Sequence, residues 1–444
     1  MQNTLFHLDF CYSAKWYIFK DTELGRIHDC IDWDGLVELL PKKKTLRGAP
    51  SWLPPKGLFG LMFLKHYTGL SDEKLIARFN TDWAMQMFCG TQLSDNKLIR
   101  DNSFVSRVRS YLGKHVDFEQ FQQKLLVHWK SEIPSHNVLM MDATCYEVNL
   151  RFPTDVKLLW ESCCWIWENT LPALCKINSI KMPRSKIKKI KIKYLVYSKL
   201  RKRSHRKTRV LKRALLRLLN KGIEQLQQVL NQIKAHRFTA RQSAVFRTIK
   251  RVYLQQKHHF DYPKAKIKDR IVSIHKPYIR PIVRGKENKP VEFGLKVHKV
   301  MVGGIGILEH VSYNAFNECK RLKISALKHR MLFGSYTHLS ADRIYATNEN
   351  RRYMTSSGIQ TNFIRKGGGK DDKPTKQIKA ILNKERSTVL EGSFGTEKEH
   401  YGLRKIRARS SHTEIAWLYF GVFTANAVKI CKRRRAQSQI PQVA

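Results

Sequence analysis

Acidic residues are what this chain has least of. Its 444 residues include 36 Asp and Glu against 83 Lys and Arg, a formal charge of +47. A surplus of that size repels itself until a polyanion neutralises it, and nucleic acid is the partner that matches it best. Long apolar runs are missing too: no stretch of roughly 18 apolar residues exists, so no membrane-spanning helix is expected. The N-terminus, MQNTLFHLDFCYSAKWYIF, lacks a charged start, a long apolar core and a small-residue cleavage site, which argues against a signal peptide. The nine cysteines form no CxxC pair, and Cys163 and Cys164 are adjacent, a poor spacing for zinc. Reduced, mostly buried thiols in a cytoplasmic protein are the expectation. No internal repeat is evident. What is present is ample material for buried cores, 42% hydrophobic residues with 9 Trp, 16 Tyr and 21 Phe, and a length that suggests two or three domains.

Residues from about 24 to 115 read as helical. In PPKGLFGLMFLKHYTGLSDEKLIARF, Leu58, Leu61, Met62 and Leu64 follow helical spacing after Pro54–Pro55. The pattern breaks at Gly69 and restarts with Ser71 as N-cap, Asp72 and Glu73 complementing the helix dipole. Helix, Gly turn and helix is the outline of a helix-turn-helix, although a packed helical hairpin has the same outline. At 137–148 the period changes to two, and Val138, Met140, Asp142, Thr144 and Tyr146 share one face of an otherwise apolar strand. Residues 150–270 read as an insert: no acidic residue lies between Glu168 and Glu224, and 181–213 alone holds 16 Lys or Arg. Leu215, Leu219, Ile223, Leu226, Leu230 and Ile233 mark an amphipathic helix, and Val245, Phe246, Ile249, Val252 and Tyr253 a second. We read a basic helical hairpin lying along phosphate backbones; Gly222 weakens its first helix modestly. His258–His259 do not read as a metal site, and Trp165 and Trp167 read as core. Strand character returns at 291–311, with Gly303–Gly304 as the hairpin turn. A helix at 314–329, a short strand 339–342, a helix at 348–356, a Gly/Lys-rich loop 361–376 and a helical stretch 377–400 follow. A last apolar core helix spans about 413–430, and a basic disordered tail 432–444 ends the chain.

Three carboxylates stand in apolar or element-end contexts: Asp142 in NVLMMDATCYEV, Asp342 in LSADRIYATNENRRYM and Glu391 in VLEGSFGTEKEHYGL. Singly, each reads as an ordinary strand-end or first-turn acid. Together they can do more. Phosphodiester cleavage by two metal ions needs carboxylates from separate elements converging on one point, and Mg²⁺ suits hard oxygen ligands while keeping water and substrate oxygens in its shell. Lys398, two helical turns after Glu391, falls on the same helix face and could hold a phosphate beside such a site. Arg280, Arg284 and Lys286 in RPIVRGK could contact a DNA backbone. Arg365 and Lys366 in IRKGGGK sit in a loop whose glycines let backbone amides approach phosphate.

With these stretches assembled, the chain resembles the bacterial DDE transposases of the broad group named after insertion sequences four and five, in the branch with a helical N-terminal domain and an EGSFG signature. The matching stretches are GLSDEKLIARFNTDWAMQMFCG, the MDAT strand, RFPTD at 151–155, IHKPYIRPIVRGKENKPVEFGLKVHK at 274–299, ADRIYATNENRRY at 341–353 and LEGSFGTEKEHYGLRKIRAR at 390–409. The resemblance spans roughly residues 20–425. It implies an α/β chain: an RNase H-like mixed sheet flanked by helices over 131–431, interrupted by the basic insert and preceded by a helical DNA-binding domain at 1–130. It implies a metal-binding catalytic triad of Asp142, Asp342 and Glu391, with two Mg²⁺ or Mn²⁺ ions. It further implies recognition of terminal inverted repeats, hydrolysis freeing a 3′-hydroxyl, and attack of that hydroxyl on target DNA. A homodimer joining two element ends, in the bacterial cytoplasm at the nucleoid, is the corresponding working form. The Glu391–Lys398 spacing fits the family pattern. Two positions depart from it: the family's Arg usually lies four residues before the Glu, where Ser387 stands here with Arg386 one earlier, and the Tyr seven before is Lys384. Two other readings compete. A catalytically silent, transposase-derived DNA-binding protein would bind without cleaving, and an RNA-binding structural protein would leave the three acids unexplained.

Overall fold

The computed structural model describes residues 14–41, 51–94, 98–233, 238–283, 290–367 and 370–438. Arg284 and Lys286 lie outside the described residues. The chain divides into two compact units, one of residues 1–149, 295–312 and 316–444, the other of 150–294 and 313–315. The fold is mixed α/β with helix predominant. Among the described residues no helix is long and apolar enough to cross a membrane.

In the first unit the described residues up to 128 form helices and their connections, with no strand among them. Helix Pro55–Thr68 opens with Pro at its first position, where the missing N–H costs nothing. It stops at Gly69, which takes the left-handed conformation (φ +64°). Ser71 then caps Asp72–Thr81 by accepting from the Lys74 N–H. Asp72 receives Arg109 at 2.9 Å and Lys65 at 2.9 Å, tying three helices together. Phe59 and Phe63 pack against Phe121 and Phe420, the last on helix Ser411–Ser438. That final helix is a core element, buried from Thr413 to Cys431 along most of its faces. It continues seven residues past 431, where the sequence reading places a disordered tail. The reason is specific pairing: Arg434 bonds the Glu132 carboxylate at 2.5 and 2.8 Å, and Arg433 donates to the Gly303 carbonyl. Residues 439–444 of that expected tail lie outside the described residues.

The sheet is built from β1 (Val138–Glu147), β3 (Val291–Val302), β4 (Ile305–Ser312), β5 (His338–Ala341) and β6 (Gln360–Thr361), with β2 (Pro281–Val283) pairing the first residues of β3 inside the second unit. β3 neighbours β1, β1 pairs parallel with β5, and β5 pairs parallel with β6. β3 and β4 form an antiparallel hairpin through Gly303 and Gly304, both at positive φ.

The second unit is helical apart from β2 and the start of β3. Helices Asp155–Cys164, Leu171–Ile177, Ile187–Lys199, His205–Gln232 and Ala240–Asp261 enclose a core of Leu159, Ile166, Trp167, Leu215, Leu219, Leu226, Ile249 and Val252. The expected hairpin is therefore two members of a larger bundle. A π-helical turn, Trp165–Thr170, joins its first two helices. Gly222 is where Trp167 fits: a Cβ there would lie 2.6 Å from the indole Nε1, which donates to the Leu218 carbonyl at 3.1 Å. Of the nine cysteines, the eight described are free thiols, six of them buried.

Candidate active site

β1 and β5 run in register, Leu139 beside Leu339, Met140 beside Ser340 and Met141 beside Ala341. The next residue on each chain is an aspartate, Asp142 and Asp342. In-register parallel neighbours point to the same face, and adjacent strands stand about 4.8 Å apart. The two aspartates also make the same local bond: Asp142 Oδ1 accepts from the Ala143 N–H at 2.7 Å, and Asp342 Oδ1 from the Arg343 N–H at 2.7 Å. Asp342 ends β5 because it caps the 3₁₀ turn Arg343–Tyr345. Behind it, Ser340 donates to the Leu382 carbonyl at 2.9 Å, holding helix Lys373–Glu385 against the strand.

That helix passes into a second π-helical turn, Arg386–Glu391, and then into helix Gly392–His400. The turn matters for side-chain direction. Five residues apart in an α-helix, at 3.6 residues per turn, two side chains diverge by roughly 140°; the wider i→i+5 turn brings them back to one side. Arg386 Nη1 accordingly lies 2.7 Å from Glu391 Oε1, and the same nitrogen is 3.4 Å from Asp142 Oδ2. The guanidinium thus links the first and third of the sequence-selected carboxylates. Its Nε is buried and makes no hydrogen bond within the protein. Lys398, near the other end of the helix, reaches Thr144 Oγ1 at 3.1 Å, two residues beyond Asp142 on the same strand face.

Electrostatics single out Asp142. Burial pushes its carboxyl up to about 6; the Ala143 N–H and Arg386 pull the other way, while the charges of Glu318 and Asp342 push it further up. Beside Asp342 lies a cleft of about 350 Å³, bordered by Arg343, Arg351, Arg365, Lys366 and Arg386. Arg365 and Lys366 are exposed on its rim, and Lys366 bonds Asn348 at 2.5 Å. The structure therefore brings together Asp142, Asp342, Glu391, Arg386, Arg365 and Lys366, with Lys398 one strand-turn away. Arg284 falls outside the described residues. Arg280, in the second unit, is turned inward, donating to the Ile279 carbonyl at 3.0 Å and facing Asp269 at 3.9 Å.

Sequence reasoning passed over Arg343, Arg351 and Glu318, and also the buried group Tyr146, Lys299 and Glu397 next to the site. A signal for the last existed in LKVHKVMV, where Lys296, His298 and Lys299 interrupt the otherwise apolar second part of the strand.

Three carboxylates supply the hard oxygen donors a divalent ion prefers. Among the described residues, however, no group of three or more His, Cys, Asp or Glu is closed up enough to hold a metal ion. Arg386 stands between Asp142 and Glu391 in the position of a cation. The donor chemistry fits, and so does the charge: Asp142 and Asp342 together are the two negative groups whose mutual repulsion a cation would relieve.

An α/β chain with one aspartate in the middle of a strand and a second just past the end of its parallel neighbour, in a strongly basic protein, is the class this geometry defines. Comparison with known families bears on the N-terminal helices. Residues 13–111, 99 of the 444, match the family described as Transposase domain (DUF772). The matched stretch, so far as it is described, is the helical part of the first unit that includes Pro55–Thr68 and Asp72–Thr81. No curated protein and no solved structure matches the chain.

Proposed function

We propose that this protein is a bacterial insertion-sequence DDE transposase, with an RNase H-like arrangement around β1 and β5. The observation that carries the reading is that Asp142 and Asp342 directly follow the β1–β5 register, with Glu391 tied to Asp142 through Arg386. The transposase-domain match at 13–111 supports it independently.

On this reading Asp142 and Asp342 hold divalent ions, with Glu391 as the third carboxylate. Two Mg²⁺ or Mn²⁺ ions held by these carboxylates would supply activation of a water and charge stabilisation at the scissile phosphate. The protein's own part is positioning. Arg386 keeps Glu391 close to Asp142 through Nη1, and the exposed part of its guanidinium is available to a phosphate. Arg365 and Lys366 grip backbone on the Asp342 side, and Lys398 does so from the Thr144 side. The basic helices of the second unit add sequence-independent affinity for double-stranded DNA, and the helical region matched at 13–111 reads the terminal inverted repeats. Freed 3′-hydroxyls then attack target DNA, two element ends being brought together in a homodimer.

The test is cleavage of a labelled duplex carrying the element's own end, with Mg²⁺ or with EDTA, by wild type and by Asp142→Ala and Asp342→Asn. Mg²⁺-dependent nicking at the element end, lost in both variants, is expected. Tight binding with no nicking by any of the three would overturn the enzymatic reading and leave a catalytically silent, transposase-derived DNA-binding protein.

A further inference from the structure

Next to the candidate site is a buried ionic group that the three carboxylates do not explain. Lys299, on β3, is wholly buried. Its ammonium bonds one oxygen of Glu397 and, at 2.9 Å, the Ser393 hydroxyl, and lies 5.3 Å from the centre of the Phe394 ring. The other Glu397 oxygen accepts from the Tyr146 hydroxyl. Both partners of the ion pair are thus hydrogen-bonded and buried. Apolar residues of similar volume commonly stabilise a core as well as such a pair does, so stability alone is a poor reason for it.

The route of the lysine is built for it. A Cβ on Gly306 would lie 2.2 Å from Lys299 Cε, so a side chain there would displace the end of the lysine. Asn426 holds that glycine by both its backbone groups, at 3.1 and 2.7 Å. What the ammonium fixes is the helix Gly392–His400. Ser393 and Glu397 are four apart and so share one helix face. Anchoring both to one point fixes the rotation of the helix and its position along its axis. Glu391 immediately precedes this helix and Lys398 follows Glu397 directly. Tyr146 lies four residues beyond Asp142 on the same face of β1, so the group also ties the helix to the strand that carries the first aspartate.

We propose that Lys299, with Glu397 and Ser393, is the positioning centre that sets where Glu391 and Lys398 stand relative to Asp142. None of the three touches the reacting atoms. The proposal rests on the reading of Asp142, Asp342 and Glu391 as the metal-binding carboxylates.

The full-length protein is compared as wild type, Asp142→Ala, Ser393→Ala and the charge-free double variant Lys299→Met with Glu397→Gln. Mn²⁺ binding is followed by electron paramagnetic resonance, and amide exchange of residues 392–400 by mass spectrometry without metal. The double variant is expected to exchange those amides at least tenfold faster and to bind Mn²⁺ at least tenfold more weakly, with metal-free DNA affinity unchanged. Ser393→Ala, which removes one bond and no charge, is expected to shift both in the same direction by two- to fivefold. It decides the matter if the double variant does not fold. Wild-type exchange and Mn²⁺ affinity in the folded variants, while Asp142→Ala loses Mn²⁺, would overturn the positioning role alone. Undiminished Mn²⁺ binding by Asp142→Ala would instead overturn the carboxylate reading beneath it.

Discussion

Asp155 should be worth more to the second unit than any other single surface-accessible charge. It opens helix Asp155–Cys164 behind the Thr154 cap, and its carboxylate collects the chain around it. Lys212 from helix His205–Gln232 bonds Oδ2 at 2.5 Å, and Arg270 bonds Oδ1 at 2.6 Å. Gln256 of helix Ala240–Asp261 donates to Oδ1 at 3.1 Å, with His259 at 3.8 Å from Oδ2. Burial by itself would raise this carboxyl, but the Lys212 and Arg270 contacts hold it down at about 2, against 3.8 ordinarily. A depression of that size corresponds to about 2 kcal/mol of stabilisation by the ionised form. Because the folded-state value lies below the unfolded one, the contribution is fully present above pH 3.8 and disappears as pH falls through about 2. Asp155→Asn removes the charge and keeps the shape. In urea unfolding near neutral pH, followed by the fluorescence of Trp160, Trp165 and Trp167, the variant should be less stable by ~2–3 kcal/mol. That gap should narrow on acidification towards pH 2. A gap below ~0.5 kcal/mol at neutral pH, no larger than an ordinary surface ion pair, would refute the reasoning, as would a gap that widens in acid.

Other outcomes follow from the same contacts. Gly222→Ala should destabilise by ~1–2 kcal/mol, because intrusion on Trp167 outweighs the helix propensity gained. Gly395→Ala, with open space around its Cβ, should stabilise by up to ~1 kcal/mol; thermal unfolding of the two variants should therefore move in opposite directions. Arg386→Gln should slow single-turnover nicking on the order of 10²-fold while leaving metal-free DNA affinity within a few-fold of wild type, since one preorganised donor is lost from many backbone contacts. Glu309, which burial would raise but His298 and Arg321 hold at about 2, should act like Asp155 in the first unit. Glu309→Gln should lower the urea midpoint above pH 4.5 and converge on wild type in strong acid.

Local chemistry made parts of this fold readable in advance. Ser71 and Gly69 end and restart a helix through groups that act within four residues, and Gly303–Gly304 supplies the positive φ values a tight hairpin needs. The near-continuous apolar run in 138–147 marks a strand covered on both faces. Features set by distant partners were not readable. Nothing near Lys299 in the chain announces Glu397, and nothing in KRRRAQS announces Glu132, which turns an expected tail into the end of a helix. Gly222 reads as a weak point in a helix until Trp167 is placed against it. For the candidate site, the identities of Asp142, Asp342 and Glu391 came from flanking sequence, whereas their proximity depends on the β1–β5 register and the turn at 386–391.

A π turn stores one residue more than an α-helix of the same rise requires. It is therefore a place where a single codon can be gained or lost and the change absorbed within one turn, leaving the flanking helices where they were. At Arg386–Glu391 this means that one residue between the guanidinium and the carboxylate could be lost with the two side chains still on one side of the helix. A motif written with a fixed gap between them would pass over this chain and any relative sharing its extra residue. Trp165–Thr170 gives the second unit the same tolerance.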